Sequence, residues 1–268
     1  MNIIVCIKQV PDTQDIRINP ETNTLMREGV QSIVNPFDMY AIEEALRIKE
    51  KVGAANAKVT VLTMGPQQAE EALREAVSMG VDEMVLMCDR AFAGSDTWAT
   101  SYTLAKGIKK LGKFDLIICG KQAIDGDTAQ VGPGIAATLD IPQVTYVKKT
   151  EEIQEGSARF ERMTEEGYEV IETPLPCLIT VVKEINIPRL PSLKGKIKAK
   201  QSKAAVICAK DIDADPERLG LKGSPTVVNK IFSPPKRTGG QILQGEVPEM
   251  VGKLADSIKD VVISVSKT

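Results

Sequence analysis

The first half of the chain alternates continuous apolar runs with amphipathic segments. A strand covered on both faces of a parallel sheet has such an unbroken apolar run. Four runs qualify as strands: residues 3–7, 58–64, 83–88 and 115–119. Helices are predicted to follow them, beginning at Asn35-Pro36, at Gly65-Pro66, near Asp96 and near Thr128. This strand–helix order predicts an α/β fold: a parallel twisted sheet with flanking helices.

The pattern changes after Pro142. Alternating polar and apolar residues predict an antiparallel meander of three strands, Val144–Thr150, Ala158–Met163 and Glu169–Glu172, and two further strands at Cys177–Val182 and Ala204–Ala209. Residues 210–245 are expected to be an extended connection, and Val247–Ile258 a helix. A hairpin is expected around Ile16–Met26. The predicted organisation is a domain of residues 1–232 and a C-terminal arm of residues 233–268.

Composition is that of a soluble globular protein, with 43% apolar and 26% charged residues. The 34 Lys and Arg residues nearly balance 36 Asp and Glu residues, which argues against a nucleic-acid or membrane-surface binder. No apolar run approaches the roughly 20 residues of a membrane span. No signal-peptide pattern precedes the first strand. The expected location is cytoplasmic.

The 268-residue chain contains no histidine. This excludes Ser-His-Asp and Cys-His catalysis, histidine zinc sites and histidine acid–base chemistry. The five cysteines are scattered and form no CxxC motif, so buried reduced thiols are expected rather than a metal centre. Chemistry must therefore come from carboxylates, lysines, cysteines or a bound group, and no catalytic side chain is nominated.

Two phosphate-binding motifs are only approximated. Residues 107–113 resemble a P-loop, but Phe114 replaces the magnesium-binding Ser or Thr and the segment leads from a helix into a strand. Residues 132–137 match G-x-G-x-x-A, but they begin twelve residues after Gly120 rather than directly after a strand. Neither motif supports a nucleotide site.

The strand ends are better candidates, because ligands of parallel sheets bind beyond the carboxyl ends of the strands. These ends are Lys8-Gln9, Met64-Gly65, Asp89-Arg90 and Gly120-Lys121. The loop of residues 120–131 leads into a helix that Asp127 or Thr128 could cap, leaving the N–H groups of residues 128–131 as an anion site. A plain loop with a capped helix is the alternative.

Residues 35–38 also stand at a helix start. Asn35 and Pro36 suit the N-cap and the first helical position, and Phe37 could be a hydrophobic anchor. Alternatively, the backbone and the Asn35 side chain could hold a nucleotide base or ribose.

Residues 188–203 are rich in Pro and Lys and carry six basic residues and no acidic one. They are expected to form a loop. The segment lacks interleaved aromatic residues, so base stacking is not expected. A solvated loop and docking to an acidic protein surface remain open.

Together these segments resemble the beta, or small, subunit of electron transfer flavoproteins. The similarity spans essentially the whole chain. The matching segments, in chain order, are IIVCIKQVPDT, VNPFDMYAIEEALRIKE, TMGPQQAEEALREAVSMGVDE, CGKQAIDGDTAQVGP, VVKEINIPRLPSLKGKIKAKQSK and SPPKRTGG.

The resemblance implies an adenine-nucleotide-hydrolase-like fold and a larger alpha subunit that carries FAD. One-flavin members hold a structural AMP in the beta subunit. Electron-bifurcating members hold a second FAD there, which accepts a hydride from NADH. The electrons then go to a low-potential acceptor such as ferredoxin or flavodoxin and, through the alpha-subunit FAD, to an acyl-CoA-type dehydrogenase.

Carried over onto this chain, the resemblance implies cofactor binding by one set of residues: Cys6, Asn35, Pro36, Phe37, Asp38, Met64, Gly120, Lys121, Gln122, Ala123, Ile124, Asp125, Gly126, Asp127, Thr128, Ala129, Gln130 and Val131. Leu193 aligns with the hydrophobic anchor of the family's dehydrogenase-recognition loop, here residues 188–203. The stretch from about Ser233 onward would pack on the alpha subunit.

The sequence of residues 128–133, TAQVGP, resembles the bifurcating pattern and favours FAD in this subunit. Two alternatives stay open. One is a one-flavin beta subunit with AMP, and the other is a stand-alone nucleotide-binding regulatory protein of the same fold.

Overall fold

A computed structural model describes residues 1–12, 17–18, 25–26, 32–229, 240 and 242–265. The chain divides into two units, residues 1–231 and residues 232–268. The first unit contains the sheet, and the second contains one helix. The assignment of the second part as a subunit-binding arm stays a prediction.

A nine-stranded sheet dominates the first unit, with the strand order β11-β10-β9-β12-β8-β1-β6-β7-β13. Neighbours from β9 to β13 in that order run parallel, and β9, β10 and β11 form an antiparallel meander. The strands of this sheet are β1 (Asn2–Cys6), β6 (Lys58–Met64), β7 (Glu83–Met87), β8 (Leu116–Gly120), β9 (Gln143–Gln154), β10 (Ser157–Met163), β11 (Tyr168–Pro174), β12 (Cys177–Val181) and β13 (Ala205–Ile207).

Two small antiparallel pairs lie in the described residues between β1 and the first helix. One joins β2 (Gln9–Pro11) to β5 (Ser32–Val34), and the other joins β3 (Arg17–Ile18) to β4 (Leu25–Met26). The second pair agrees with the predicted hairpin around Ile16–Met26, whose other residues lie outside the described part of the chain.

The helices follow the strands as the alternating pattern predicts. They are α1 (Pro36–Val52), α2 (Glu70–Met79), α3 (Thr97–Leu111), α4 (Val131–Leu139), α5 (Leu193–Gln201) and, in the second unit, α6 (Val247–Val265). Asp96 caps α3 by accepting hydrogen bonds from the N–H groups of Trp98 and Ala99, at 2.9 and 3.0 Å. The predicted fold class is thus confirmed.

The core lies on both faces of the sheet, and β1 shows how one strand serves both. Ile3 and Val5 face the cluster that includes residues of α1 and α2, whereas Ile4 and Cys6 face the cluster that includes residues of α3 and α4. A strand buried on both sides needs apolar residues at every position, which explains the continuous apolar runs of the sequence.

The direction of the chain reverses next to β1. From β1 the chain moves to β6 and then β7 on one side, and it returns to place β8 on the other side. Such a topological switch point leaves a crevice at the carboxyl ends of the two central strands. Here these ends are Cys6 and Gly120.

Two sequence predictions need correction. The segment of residues 188–203 is not a loop throughout, because α5 occupies Leu193–Gln201 and packs against α2 through Gly195 and the buried Ala199. The C-terminal helix extends seven residues beyond the predicted end at Ile258, to Val265.

All five cysteines lie in described residues and are free thiols. Cys6, Cys119 and Cys177 are buried, whereas Cys88 and Cys208 are half-buried. No group of three or more metal-ligating side chains is found in the described residues. Among the helices described, none is long and apolar enough to cross a membrane.

Replacing Gly195 with alanine tests the packing of α5. A Cβ atom at this position would collide with the carbonyl oxygen of Ser78, which is backbone and cannot move aside. We expect the free energy of unfolding to fall by about 1–3 kcal/mol in denaturant titration, despite the better helix propensity of alanine.

Gly252→Ala is the matched control, since a Cβ there meets nothing within 4 Å. It lies inside a helix, and we expect no loss of stability. Equal stability of Gly195→Ala and the unsubstituted chain would show that α5 does not depend on this close approach.

Candidate functional site

Three strand ends meet at the switch point. Cys6 is in register with Leu62 of β6 on one side and with Cys119 of β8 on the other. The segments that follow these strands therefore leave the sheet side by side. They are joined by the start of α1, which returns to the same edge.

Asn35 connects two of these segments. Its side-chain Nδ2 donates to the carbonyl oxygen of Gln122 at 2.8 Å, and its Oδ1 accepts from the N–H of Ile124 at 3.1 Å. Its own N–H donates to the Lys8 carbonyl oxygen at 2.8 Å. With 1% of its surface exposed, Asn35 is a buried bridge between the end of β1 and the loop after β8.

The prediction that Asn35 occupies the N-cap position of α1 is confirmed, but the capping hydrogen bond expected of its side chain is not formed. The reason is that both polar atoms of the amide are engaged by the loop of residues 120–130. A direct contact of Asn35 with a nucleotide stays a prediction.

Asp38, in the first turn of α1, is buried beneath the same loop. Its Oδ2 accepts from the N–H of Lys8 at 2.7 Å. Burial raises the pKa of its carboxyl group to about 7, although hydrogen bonds from Asn35 and from the N–H groups of Lys8 and Gly120, and the Lys8 charge, act in the opposite direction. The carboxyl group thus changes its charge near neutral pH.

Gly120 permits this close packing at the end of β8. A Cβ atom there would collide with Oδ1 of Asp38 and would lie 2.8 Å from Cβ of Phe37. Only glycine lets the strand end lie directly against the start of α1. The sequence-predicted Phe37, Asp38 and Gly120 are thereby brought together.

The loop after Gly120 is compact and locally strained. The N–H of Asp127 donates to the carbonyl oxygen of Ala123 at 2.8 Å. Nε2 of Gln122 donates to Oδ1 of Asp127. Asp127 and Ala129 both have φ of +54°, a left-handed conformation that non-glycine residues seldom adopt.

This backbone explains why the helix starts later than predicted. A left-handed residue cannot continue a right-handed helix, so α4 begins at Val131 rather than near Thr128. Gln130 takes the N-cap position, and no side chain caps the helix. The predicted cap by Asp127 or Thr128 is wrong.

The amino end of α4 is fixed by close contacts with its neighbours. A Cβ atom on Gly134 would collide with Oγ of Ser101, and one on Gly132 would lie 2.7 Å from Cγ2 of Thr180. Oγ of Ser101 also donates to the Val131 carbonyl oxygen at 3.2 Å. Helix α4 is therefore held rigidly against α3 and β12.

The turn before α4 has free hydrogen-bond donors. Within the described part of the chain, no acceptor is found for the N–H groups of residues 128–131. Ala129 is left-handed and Gln130 is right-handed, and alternation of this kind turns successive N–H groups toward one point, as in anion-binding nests. These donors could hold a phosphate.

Gly126 provides space beside these donors. A Cβ atom on Gly126 would meet nothing within 4 Å, and its φ is not in the left-handed region. The described residues therefore give no internal reason for a glycine here. Close approach of a bound molecule would supply one.

Two lysines border the site. Nζ of Lys8 lies 2.7 Å from both carboxylate oxygens of Asp125. Nζ of Lys121 lies 5.9 Å from the ring centre of Phe37 and 5.2 Å from that of Tyr146. Tyr146 was not identified from the sequence, because nothing local distinguishes it from other residues of a meander strand.

The remaining predicted residues have different surroundings. Cys6 and Cys119 are buried below Asp38, and hydrogen bonding to Cys6 together with burial raises the pKa of the Cys119 thiol. Met64 is half-buried at the end of β6. Leu193 does not belong to this cluster: it is the first residue of α5 and is 78% exposed.

The fourth strand end, Asp89-Arg90, is hydrogen-bonded to the segment that follows β13. The Asp89 carboxylate accepts hydrogen bonds from the N–H groups of Ala91 and Ala209, at 3.0 and 2.9 Å. It thus fixes the chain that follows β13.

Comparison with known proteins adds an independent result. The model of the electron transfer flavoprotein domain matches residues 22–211. An electron transfer flavoprotein subunit beta from Thermoanaerobacterium thermosaccharolyticum is 54% identical, over 96% of this chain and 98% of the relative.

Two further relatives carry other names. The caffeyl-CoA reductase-Etf complex subunit CarD from Acetobacterium woodii is 51% identical, over 97% of this chain and 98% of the relative. Protein FixA from Bradyrhizobium diazoefficiens is 46% identical, over 96% of this chain and 91% of the relative.

Asp38→Asn tests the buried carboxyl group through its pH dependence. In the folded chain the Asp38 carboxyl group has a pKa of about 7 and keeps its proton below that pH. In the unfolded chain its pKa is the ordinary value of 3.8. The folded state binds more protons between these values, so its stability falls as pH rises. We expect the stability of the unsubstituted chain, relative to Asp38→Asn, to fall by about 2–3 kcal/mol between about pH 5 and 8.

The measurement is denaturant unfolding of both chains at each pH. Titrations that are common to the two chains cancel in the difference, which therefore reports on Asp38. A difference that is constant or rises with pH would show that Asp38 is ionised in the folded state.

Proposed function

The chain belongs to the electron transfer flavoprotein family, in its beta-subunit branch, and on this basis we propose that it binds FAD at the switch point and uses it to oxidise NADH and bifurcate the electrons. The observation that carries the proposal is the loop of residues 120–131. It combines unpaired N–H groups with the open space beside Gly126 at the place where parallel sheets bind ligands.

The residues of this chain would bind and orient the cofactor. The N–H groups of residues 128–131 would hold its phosphates, and the fixed amino end of α4 would keep them in place. Asn35, Asp38 and Gly120 would keep the loop and the strand ends in register. None of these residues is assigned a proton-transfer role, which agrees with a chain that lacks histidine.

The chemistry itself belongs to the cofactor. When bound, FAD would accept a hydride from NADH and release the electrons singly, one to ferredoxin or flavodoxin and one through the alpha-subunit FAD to an acyl-CoA-type dehydrogenase. The TAQVGP sequence of residues 128–133 supports FAD rather than AMP in this subunit.

Partner binding is proposed at two surfaces. A relative is named as a subunit of a caffeyl-CoA reductase complex, which supports an acyl-CoA-type partner. Leu193, exposed and followed by the lysines of α5, would be the anchor of that contact. In the second unit, α6 carries an exposed apolar row with helical spacing, which would pack on the alpha subunit: Val247, Val251, Leu254 and Ile258.

Cofactor content tests the proposal directly. The chain would be co-expressed with an alpha subunit, and the nucleotides of the purified complex would be released by denaturation, separated and counted. We expect two FAD and no AMP per heterodimer, and reduction of both flavins by NADH.

One FAD and one AMP would refute bifurcation and leave a one-flavin electron transfer flavoprotein. A chain that forms no flavin-containing complex would contradict the proposed function altogether and favour a stand-alone nucleotide-binding protein.

Substitutions at Gly126 test the location of the nucleotide. A side chain at this position has open space in the chain itself, so Gly126→Ala and Gly126→Val should unfold at the same temperature as the unsubstituted chain when nucleotide is absent. Nucleotide content should fall stepwise from glycine to alanine to valine, because the side chain occupies the space of the ligand. Full nucleotide content in Gly126→Val would place the nucleotide elsewhere.

A further inference from the structure

Tyr146 has an unusual backbone for its position in a strand. Its φ is +59°, although it is a bulky residue and the fourth residue of β9. The pairing of β9 with β12 shifts register at this point, and the N–H of Tyr146 donates to Oγ1 of Thr180 at 3.1 Å. A left-handed conformation is costly for such a residue and persists where surrounding contacts impose it, often at functional sites.

The bulge brings the Tyr146 ring to the candidate site. The ring centre lies 5.2 Å from Nζ of Lys121, and the Phe37 ring centre lies 5.9 Å from the same atom. The backbone N–H of Lys121 donates to the Val181 carbonyl oxygen at 2.9 Å, which fixes the base of the side chain. Two aromatic rings therefore make cation–π contacts with the same ammonium group.

Lys121 differs from the other charged groups at the site in its partners. No carboxylate lies within 4 Å of its ammonium group in the described residues. Lys8 is paired with Asp125, and Asp127 is bound by Gln122. Asp38 is buried beneath the loop. Lys121 is thus a cation at this edge whose charge the described residues leave available to an anion.

We propose that Tyr146 is a positioning residue which, with Phe37, holds Lys121 as the cation that recognises a phosphate group of the bound nucleotide. The proposal rests on the proposed nucleotide-binding function. To the cofactor contact that the family resemblance implies for Lys121, it adds the part of the ligand that is recognised and the residue that positions the ammonium group. The strained backbone of Tyr146 then has a role, since a relaxed strand would not present the ring at this point. Aromatic contacts suit this task because they restrain the ammonium without neutralising it.

The test measures binding of AMP and of inorganic pyrophosphate to the full-length chain by calorimetry, at low and high salt. We expect Lys121→Met to weaken both affinities about tenfold, the loss of one charge-assisted contact. The salt dependence should decrease as well. Lys121→Arg should retain most of the affinity. Lys110→Met is the matched control: this exposed lysine lies in the last turn of α3, at the opposite edge of the sheet, and its loss should change neither affinity.

Tyr146 is tested with three variants. Tyr146→Phe keeps the ring and should bind as the unsubstituted chain does. Tyr146→Gly and Tyr146→Asn remove the ring but accept the left-handed backbone, so both should remain folded with no lower melting temperature. We expect both to bind AMP and pyrophosphate roughly three- to tenfold more weakly, an effect that a purely structural role of the strained residue would not produce.

The outcomes separate this inference from the proposed function. If the unsubstituted chain and Lys121→Met bind AMP equally well, the anion-recognition role of Lys121 is refuted while nucleotide binding stands. If Lys121→Met is weakened but Tyr146→Gly and Tyr146→Asn are not, the positioning role of Tyr146 is refuted. If the chain binds pyrophosphate through Lys121 but binds neither AMP nor FAD, the nucleotide function fails and the anion site stands. If the chain binds neither pyrophosphate, AMP nor FAD, the nucleotide function and the anion site are both refuted.

Discussion

The candidate site depends on the two hydrogen bonds of the Asn35 side chain. A parallel sheet has no hydrogen bonds of its own beyond its strand ends, so the segments that leave β1 and β8 need other contacts to stay together. Asn35 ties one to the other at 2.8 and 3.1 Å, and its burial protects both bonds from competition with water. Asp38 is a second link, because it accepts a hydrogen bond from the N–H of Lys8 and packs against Gly120.

The sequence predicts the parts of this structure that local patterns determine. The bounds of β6, Lys58–Met64, agree with the predicted strand, because an apolar run between turn residues is a local signal. The sequence also predicts a site at the strand ends, since strand–helix alternation implies a parallel sheet and hence a crevice. The location of the site stays a prediction. The resemblance to electron transfer flavoproteins leads to the same segments. The family match confirms membership of that family.

The incorrect predictions have two physical causes, which are competition from distant residues and an unusual local backbone. Asn is a good helix cap, but the partners of Asn35 lie 87 and 89 residues away, and no local pattern announces them. The start of α4 depends on the left-handed backbone at Asp127 and Ala129. The basic segment that includes α5 looks like a loop until Gly195 is seen to fit against Ser78. Tertiary contacts override local propensity at Asn35 and at α5.

The distribution of backbone strain suggests why the site is so firmly held. Among the described residues, four non-glycine residues have positive φ: Asp127, Ala129, Asp140 and Tyr146. Asp140 ends α4 as an ordinary left-handed cap, but the other three border the candidate site. A stable fold has no use for strain at these positions, whereas a site that must present N–H groups and one ammonium in fixed directions does. A chain without histidine can contribute to redox chemistry in this way, by holding a cofactor rigidly while the cofactor carries the electrons.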